Sequence, residues 1–214
     1  EIAQCLVGSE MCIRDRHMSE MVKVVVDAMG GDNAPEEPVK AAVEAVKEKE
    51  NIQVILTGVQ DVIEAELRKY PDYPKDRIRV VHASQVIETA EPPVMAIQKK
   101  KDSSIVVGLN LVKKQEADAF VSSGSTGAVL VGGQVIVGRI QGIRRPPLAP
   151  LIPTAKGVSL LIDCGANVDA RPDHLVQFAQ MGSIYMEHVV GIKNPRVAIV
   201  NIGAEEELSL IHIS

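Results

Sequence analysis

VVVDAMGGDNAP (24–35) is a β-branched apolar run that stops in an acid, a glycine pair and an Asp–Asn pair, then opens onto a helical pattern. Consecutive valines favour a buried parallel strand. Paired glycines permit positive φ or close backbone approach, and Asp and Asn form local turns, so the strand ends there. Pro35, Glu36 and Glu37 then suit a helix N-terminus. Val39, Ala42, Val43 and Val46 repeat at i, i+3, i+4 and i+7, and Lys47 and Lys49 close the segment. Strand, glycine turn and amphipathic crossover helix are the opening of a parallel α/β sheet.

The same order recurs at FVSSGSTGA (120–128), LLIDCGANVDA (160–170) and VAIVNIGAEEE (197–207). Spacing predicts strands at 22–26, 52–57, 77–82, 118–122, 158–163 and 196–201. Helices are predicted at about 36–49, 60–69, 93–99, 103–115, 126–140 and 173–188. This alternation predicts an α/β fold, a mostly parallel sheet covered on both faces in three α/β/α layers. Loops at the carboxyl ends of such strands gather on one edge, where ligands bind, so the four glycine-bearing turns predict one site. RRPPLAP (144–150) reads as a rigid link. No repeat or low-complexity tract divides the body, so one domain is expected.

That domain is expected over 21–207. EIAQCLVGSEMCIRDR (1–16) has neither helical nor strand periodicity and no h-region, and LSLIHIS (208–214) has the same character; 1–20 and 208–214 read as non-native segments, with the native chain continuing past Glu207. Cys164 is then the one body cysteine, which makes no disulfide framework. Without a targeting segment or an apolar run near ~18 residues, a cytoplasmic location is expected. A net charge of −5 does not favour nucleic acid as a partner. With 46% hydrophobic residues, two Phe and no Trp, the core must be built of Val, Ile, Leu and Ala.

The loop chemistry is narrow: backbone amides, hydroxyls, Asp27, Asp32, Asp163, and the amides of Asn33, Asn167 and Asn201. That set suits an anion, most simply phosphate. In SSGSTGA, Ser122, Ser123, Ser125 and Thr126 end a strand and open a helix, where free N–H groups favour phosphate; the bland alternative is a helix cap. Around Gly30 and Gly31, Asp27, Asp32 and Asn33 either serve a ligand or only shape a tight turn. G-x-G-x-x-G and the Walker pattern are both absent. The Gly- and Ala-rich helix after Thr126 predicts close packing on another helix, including across a subunit interface. Cys164 reads as inert, and His82, His174 and His188 as structural, having no metal-ligand spacing. One of Arg144 and Arg145 could clamp an anion. Lys99–Lys101 is a local basic cluster.

VDAMGGDNAP, EPPVMAIQKKKDSS (91–104), VSSGSTGA, RRPPLAP and LIDCGAN, in this order, resemble the PlsX family of acyl-carrier-protein:phosphate acyltransferases. The resemblance runs from Met21 to about 206 and covers the N-terminal portion of a family member. It implies a fold similar to isopropylmalate and isocitrate dehydrogenases, truncated here at the C-terminus, and no metal or nicotinamide cofactor. It further implies transfer of a long-chain acyl group from the carrier protein thioester to inorganic phosphate, giving acyl phosphate for glycerol 3-phosphate acylation in phospholipid synthesis. A homodimer and peripheral membrane contact follow from the same resemblance. In that frame Ser123, Gly124, Ser125, Thr126 and Gly127 hold phosphate or the oxyanion, beside Gly30, Gly31, Asn33 and Asn201. Asp27, Asp32, Asp163 and Asn167 orient the groups around it, and Arg145 or Lys100 neutralises charge. Lys99–Lys101 could instead meet the acidic carrier protein. The rivals are a coenzyme A-dependent phosphate acetyltransferase-like enzyme and a non-catalytic membrane or partner scaffold.

Overall fold

The computed structural model describes residues 21–200 apart from Val168, and these divide into two compact units on either side of Gln141 and Gly142. In the first unit β1 (Val22–Asp27), β2 (Ile52–Gly58), β3 (Ile78–His82) and β4 (Ala119–Val121) form a parallel sheet in the order β3-β2-β1-β4. Its helices are α1 (Glu36–Glu48), α2 (Gln60–Leu67), α3 (Pro93–Lys99), α4 (Ser104–Lys113) and α5 (Thr126–Gly132). The last runs on through a wider π-type turn to Val137.

Strand alternation sorts these helices into two layers. Val54 and Leu56 of β2, with Val26, Ile78 and Val80, pack on Val39, Val43 and Val46 of α1 and on Ile63 and Leu67 of α2. Val25 and Ile55 face the other way and meet Leu111 of α4, Ala117 and Phe120. Ile97, Ile105, Leu109 and Ala128 extend that second layer through α3, α4 and α5. Val25, Val39, Leu56 and Ile63 are all 0% exposed. Each burial of this size contributes about 1.5–3 kcal/mol, which is how a chain without tryptophan holds three layers together.

Chain order fixes the site. α1 and α2 carry the chain outward from β1 to β3 on one face, and α3 and α4 bring it back across the other face to place β4 beside β1. Winding reverses between β1 and β4. The crevice at their carboxyl ends is therefore a topological switch point, the position where open α/β sheets bind ligands.

The second unit is built differently. β5 (Leu151–Thr154) and β6 (Gly157–Leu160) form an antiparallel hairpin closed by Ala155 and Lys156. α6 (Pro172–Tyr185) continues through a π-type turn to Val190. Gly182 turns this face of α6 onto β6 and the residues just after it: a Cβ there would meet Leu160 and Ile162 at 3.4 Å, ordinary contact. Phe178 of the same helix is 1% exposed.

Three expected elements are corrected here. The parallel strand at 158–163 is instead β6, which stops at Leu160 and pairs antiparallel with β5. TAKG (154–157) is the cause: Gly157 takes φ +135°, a conformation L side chains rarely adopt, and the chain reverses at once onto the residues just before it. The expected strand at 196–201 is absent over Arg196–Val200, and Asn201 lies outside the described residues. Val197, Ile199 and Val200 are 59%, 60% and 74% exposed, with no strand beside them to complete a ladder among the described residues. The helix expected to 140 ends at Val137, where Gly138 turns to φ +105°.

Candidate active site

The loops after β1 and β4 meet at the switch point. Register places Val26 opposite Val121, so the next residues of the two strands, Asp27 and Ser122, come side by side. Ser122 Oγ donates to Asp27 Oδ2 at 2.7 Å and accepts from the Gly124 N–H at 3.0 Å. Asp27 Oδ1 accepts from the Met29 N–H at 3.1 Å. At 2% exposure, this carboxylate is a strut that folds its own loop and fastens the neighbouring one.

The glycines allow the loops to touch. A Cβ on Gly30 would stand 2.7 Å from Asp27 Oδ2, 2.8 Å from the Gly124 nitrogen and 2.9 Å from Ser122 Oγ. Gly31 has φ +95°, and its Cβ would fall 3.1 Å from that of Ser123. On the solvent side of this junction Asp32, Asn33, Ser123 and Thr126 are exposed. Ser125 is 3% exposed and its hydroxyl accepts from the Ala128 N–H at 3.3 Å, so it caps α5. The cap leaves the N–H groups of Thr126 and Gly127 without acceptors inside the helix. Exposed hydroxyls and amide donors on one rim form a surface suited to a small oxyanion.

The structure thus brings together Asp27, Gly30, Gly31, Ser123 and Gly124, with Asp32 and Asn33 and with Ser125, Thr126 and Gly127 continuing the two loops. Lys100 is committed elsewhere: its ammonium donates to Glu91 Oε1 at 2.5 Å and to the Val86 carbonyl at 2.6 Å. That contact, helped by the Glu88 backbone, holds the Glu91 carboxyl below its ordinary range. Asp102 is held low by the Ser84 hydroxyl and N–H, at 2.5 and 2.9 Å.

Asp163 and Asn167 form a separate cluster in the second unit. Asp163 Oδ1 accepts from the Leu148 N–H at 2.6 Å, and Oδ2 from the Asn167 N–H at 2.7 Å. Asn167 Nδ2 reaches the Pro146 carbonyl at 3.1 Å, so the pair clasps the proline-rich link. Arg144 pairs with Asp173, and its N–H donates to Gln177 Oε1 at 3.0 Å. Arg145 is exposed and has no hydrogen-bond or ion-pair partner among the described residues. Cys164 is a free, exposed thiol. His82 and His174 accept from the Gln60 and Arg171 N–H groups at 3.3 and 3.2 Å. Among the described residues no group of three or more His, Cys, Asp or Glu is arranged to hold a metal. The Gly-rich helix packs within its own unit: Cβ atoms on Gly127 and Gly132 would stand 2.6 Å from Pro93 and 2.5 Å from Leu109.

Residues 22–211 match the family model described as fatty acid synthesis protein. The chain belongs to this family. The resemblance to PlsX proteins carried by the five motifs is thereby upheld. Among its relatives, the phosphate acyltransferase of Alkaliphilus oremlandii is 58% identical over 186 residues, covering 87% of this chain and 55% of that protein. That of Clostridium novyi is 52% identical over 186 residues, covering 87% and 56%. The chain spans about half the length of these curated relatives. A phosphotransacetylase from Streptococcus pyogenes matches in fold with a TM-score of 0.61 at 19% identity, covering 90% of this chain and 60% of that one. EutD phosphotransacetylase from Staphylococcus aureus gives 0.58 at 18% identity, covering 89% and 59%. At these identities the likeness is one of fold.

Proposed function

We propose that this chain carries the phosphate-binding half of an acyl-carrier-protein-dependent phosphate acyltransferase. The Asp27–Ser122 bond is the observation that carries the reading, because it locks two donor-rich loops together at the switch point of the sheet. Family membership and relatives named phosphate acyltransferase support it.

The chemistry asks little of the protein. Phosphate dianion is a competent nucleophile near neutral pH; one of its oxygens attacks the thioester carbonyl carbon. The tetrahedral intermediate then expels the thiolate, giving acyl phosphate and free carrier protein. Catalysis consists of holding phosphate against the thioester and donating hydrogen bonds to the developing oxyanion. Ser123, Thr126 and the amides of Thr126 and Gly127 supply those donors, and Asp32 and Asn33 orient them. Arg145 is the residue assigned to neutralising charge, and within the second unit Asp163 and Asn167 fix the link that bears it. No metal or nicotinamide takes part.

With this reading go a homodimer, a cytoplasmic protein in peripheral contact with membrane, and delivery of acyl phosphate to a glycerol 3-phosphate acyltransferase, with no nucleic-acid partner. No helix among the described residues is long and apolar enough to cross a membrane. The test compares palmitoyl thioesters of acyl carrier protein and of coenzyme A as donors to the full-length protein. A preference for the carrier protein donor is expected. A preference for coenzyme A overturns the donor assignment, and liposome binding without turnover on either donor favours a scaffold.

A further inference from the structure

We propose that the solvent face of α3, formed by Val94, Met95 and Lys99 and continued by Lys101, is the surface on which the acyl carrier protein docks; this rests on the acyltransferase reading above. Val94 and Met95 are 53% and 45% exposed, whereas Ala96 and Ile97 beside them are 3% and 2% exposed and hold the helix on α4 and α5. Lys99 follows Met95 by four residues and so shares its face.

The three lysines at 99–101 divide by direction. Lys100 turns inward to Glu91 and Val86, anchoring the end of α3 to the loop before it. Lys99 and Lys101 remain exposed. Of the acids in the same stretch, Glu91 is neutralised by its pairing with Lys100, while Asp102 keeps its charge but is turned onto the Ser84 hydroxyl and N–H, and Glu88 is exposed in the preceding loop. An apolar pair edged by two cations matches an acidic partner with an apolar centre, and the acyl carrier protein is such a partner. Attraction of this kind steers encounter and weakens with salt.

Position supports the same occupant. Pro93, the first residue of α3, packs where a Cβ on Gly127 would be only 2.6 Å away, so the patch borders the phosphate loop. Lys99 lies about 9 Å further along the helix, six residues at ~1.5 Å rise. A carrier protein seated here delivers its flexible thioester arm to the crevice without itself entering it.

The test uses the full-length protein carrying Lys99→Glu and Lys101→Glu, with binding of fluorescent palmitoyl-acyl carrier protein and acyl phosphate formation measured side by side. The dissociation constant and the KM for the carrier protein should rise roughly tenfold at low salt, with the difference shrinking as salt is added. The KM for phosphate and the kcat at saturating donor should not change. Lys47→Glu with Lys49→Glu, the same charge change at the end of α1 in the opposite layer, should leave every value unaltered. Should the double variant fail to fold, Val94→Ser with Met95→Ser tests the apolar half in the same way. A variant that binds as tightly as the unaltered protein, or an equal loss with Lys47→Glu and Lys49→Glu, overturns the docking surface and leaves the acyltransferase reading intact. Charge-dependent binding by a protein that forms no acyl phosphate retains the surface and overturns the reading.

Discussion

Asp27 and Ser122 set the geometry of the crevice. Replacing Ser122 by alanine leaves Asp27 Oδ2 and the Gly124 N–H without their partner, beside a carboxylate only 2% exposed. A loss of about 1–3 kcal/mol is expected, read as a lower Tm, together with a higher KM for phosphate. Gly30→Ala should act likewise, because its Cβ would stand 2.7 Å from Asp27 Oδ2 and 2.8 Å from the Gly124 nitrogen. Thr126→Ala is the contrast: this exposed residue should lower turnover with little change in Tm. An equal fall in Tm for Thr126→Ala and Ser122→Ala would contradict this division of roles. The sequence identified Asp27, Gly30, Gly31 and the hydroxyl-rich loop through their residue types. It did not single out Ser122, since which serine of SSGS faces Asp27 depends on the register of β1 with β4, and neither strand states that register alone.

Among the elements, α1 was legible because Val39, Ala42, Val43 and Val46 are all buried, as their spacing predicts. α3 was legible because Pro93 opens it and the lysines close it. The hairpin β5–β6 was not, because the prolines on both sides of Leu148 masked a four-residue strand and its two-residue turn. Capping yields a prediction here. Ser103, 0% exposed, accepts from the Val106 N–H at 3.3 Å, so Ser103→Ala should cost about 1 kcal/mol in a denaturation experiment. The 84–102 segment should also respond to acid. Glu91 and Asp102 are both held below their ordinary ranges, so each stabilises the fold above its unfolded pKa, and that contribution is lost as pH falls through the folded value. Hydrogen exchange in this segment should accelerate as pH drops into the carboxylate range, after correction for intrinsic rates. Lys100→Met should remove the Glu91 share of that dependence.

For the whole molecule, fold class was legible and spatial order was not. Alternating patterns required a parallel sheet with both faces covered, but they did not say that β4 lies beside β1 rather than beyond β3. That placement, set by the return path through α3 and α4, makes the β1–β4 crevice. It also explains why the four glycine turns were not equivalent: two meet in this crevice, the third belongs to the second unit, and the fourth lies largely outside the described residues. The central claim is that phosphate bound at this crevice attacks an acyl thioester. The most direct measurement incubates the full-length protein with palmitoyl-acyl carrier protein and radiolabelled phosphate, and repeats this with Thr126→Ala. The account predicts labelled acyl phosphate from the unaltered protein and a marked fall with the variant; no labelled product from a folded protein, or equal product from both, would contradict it.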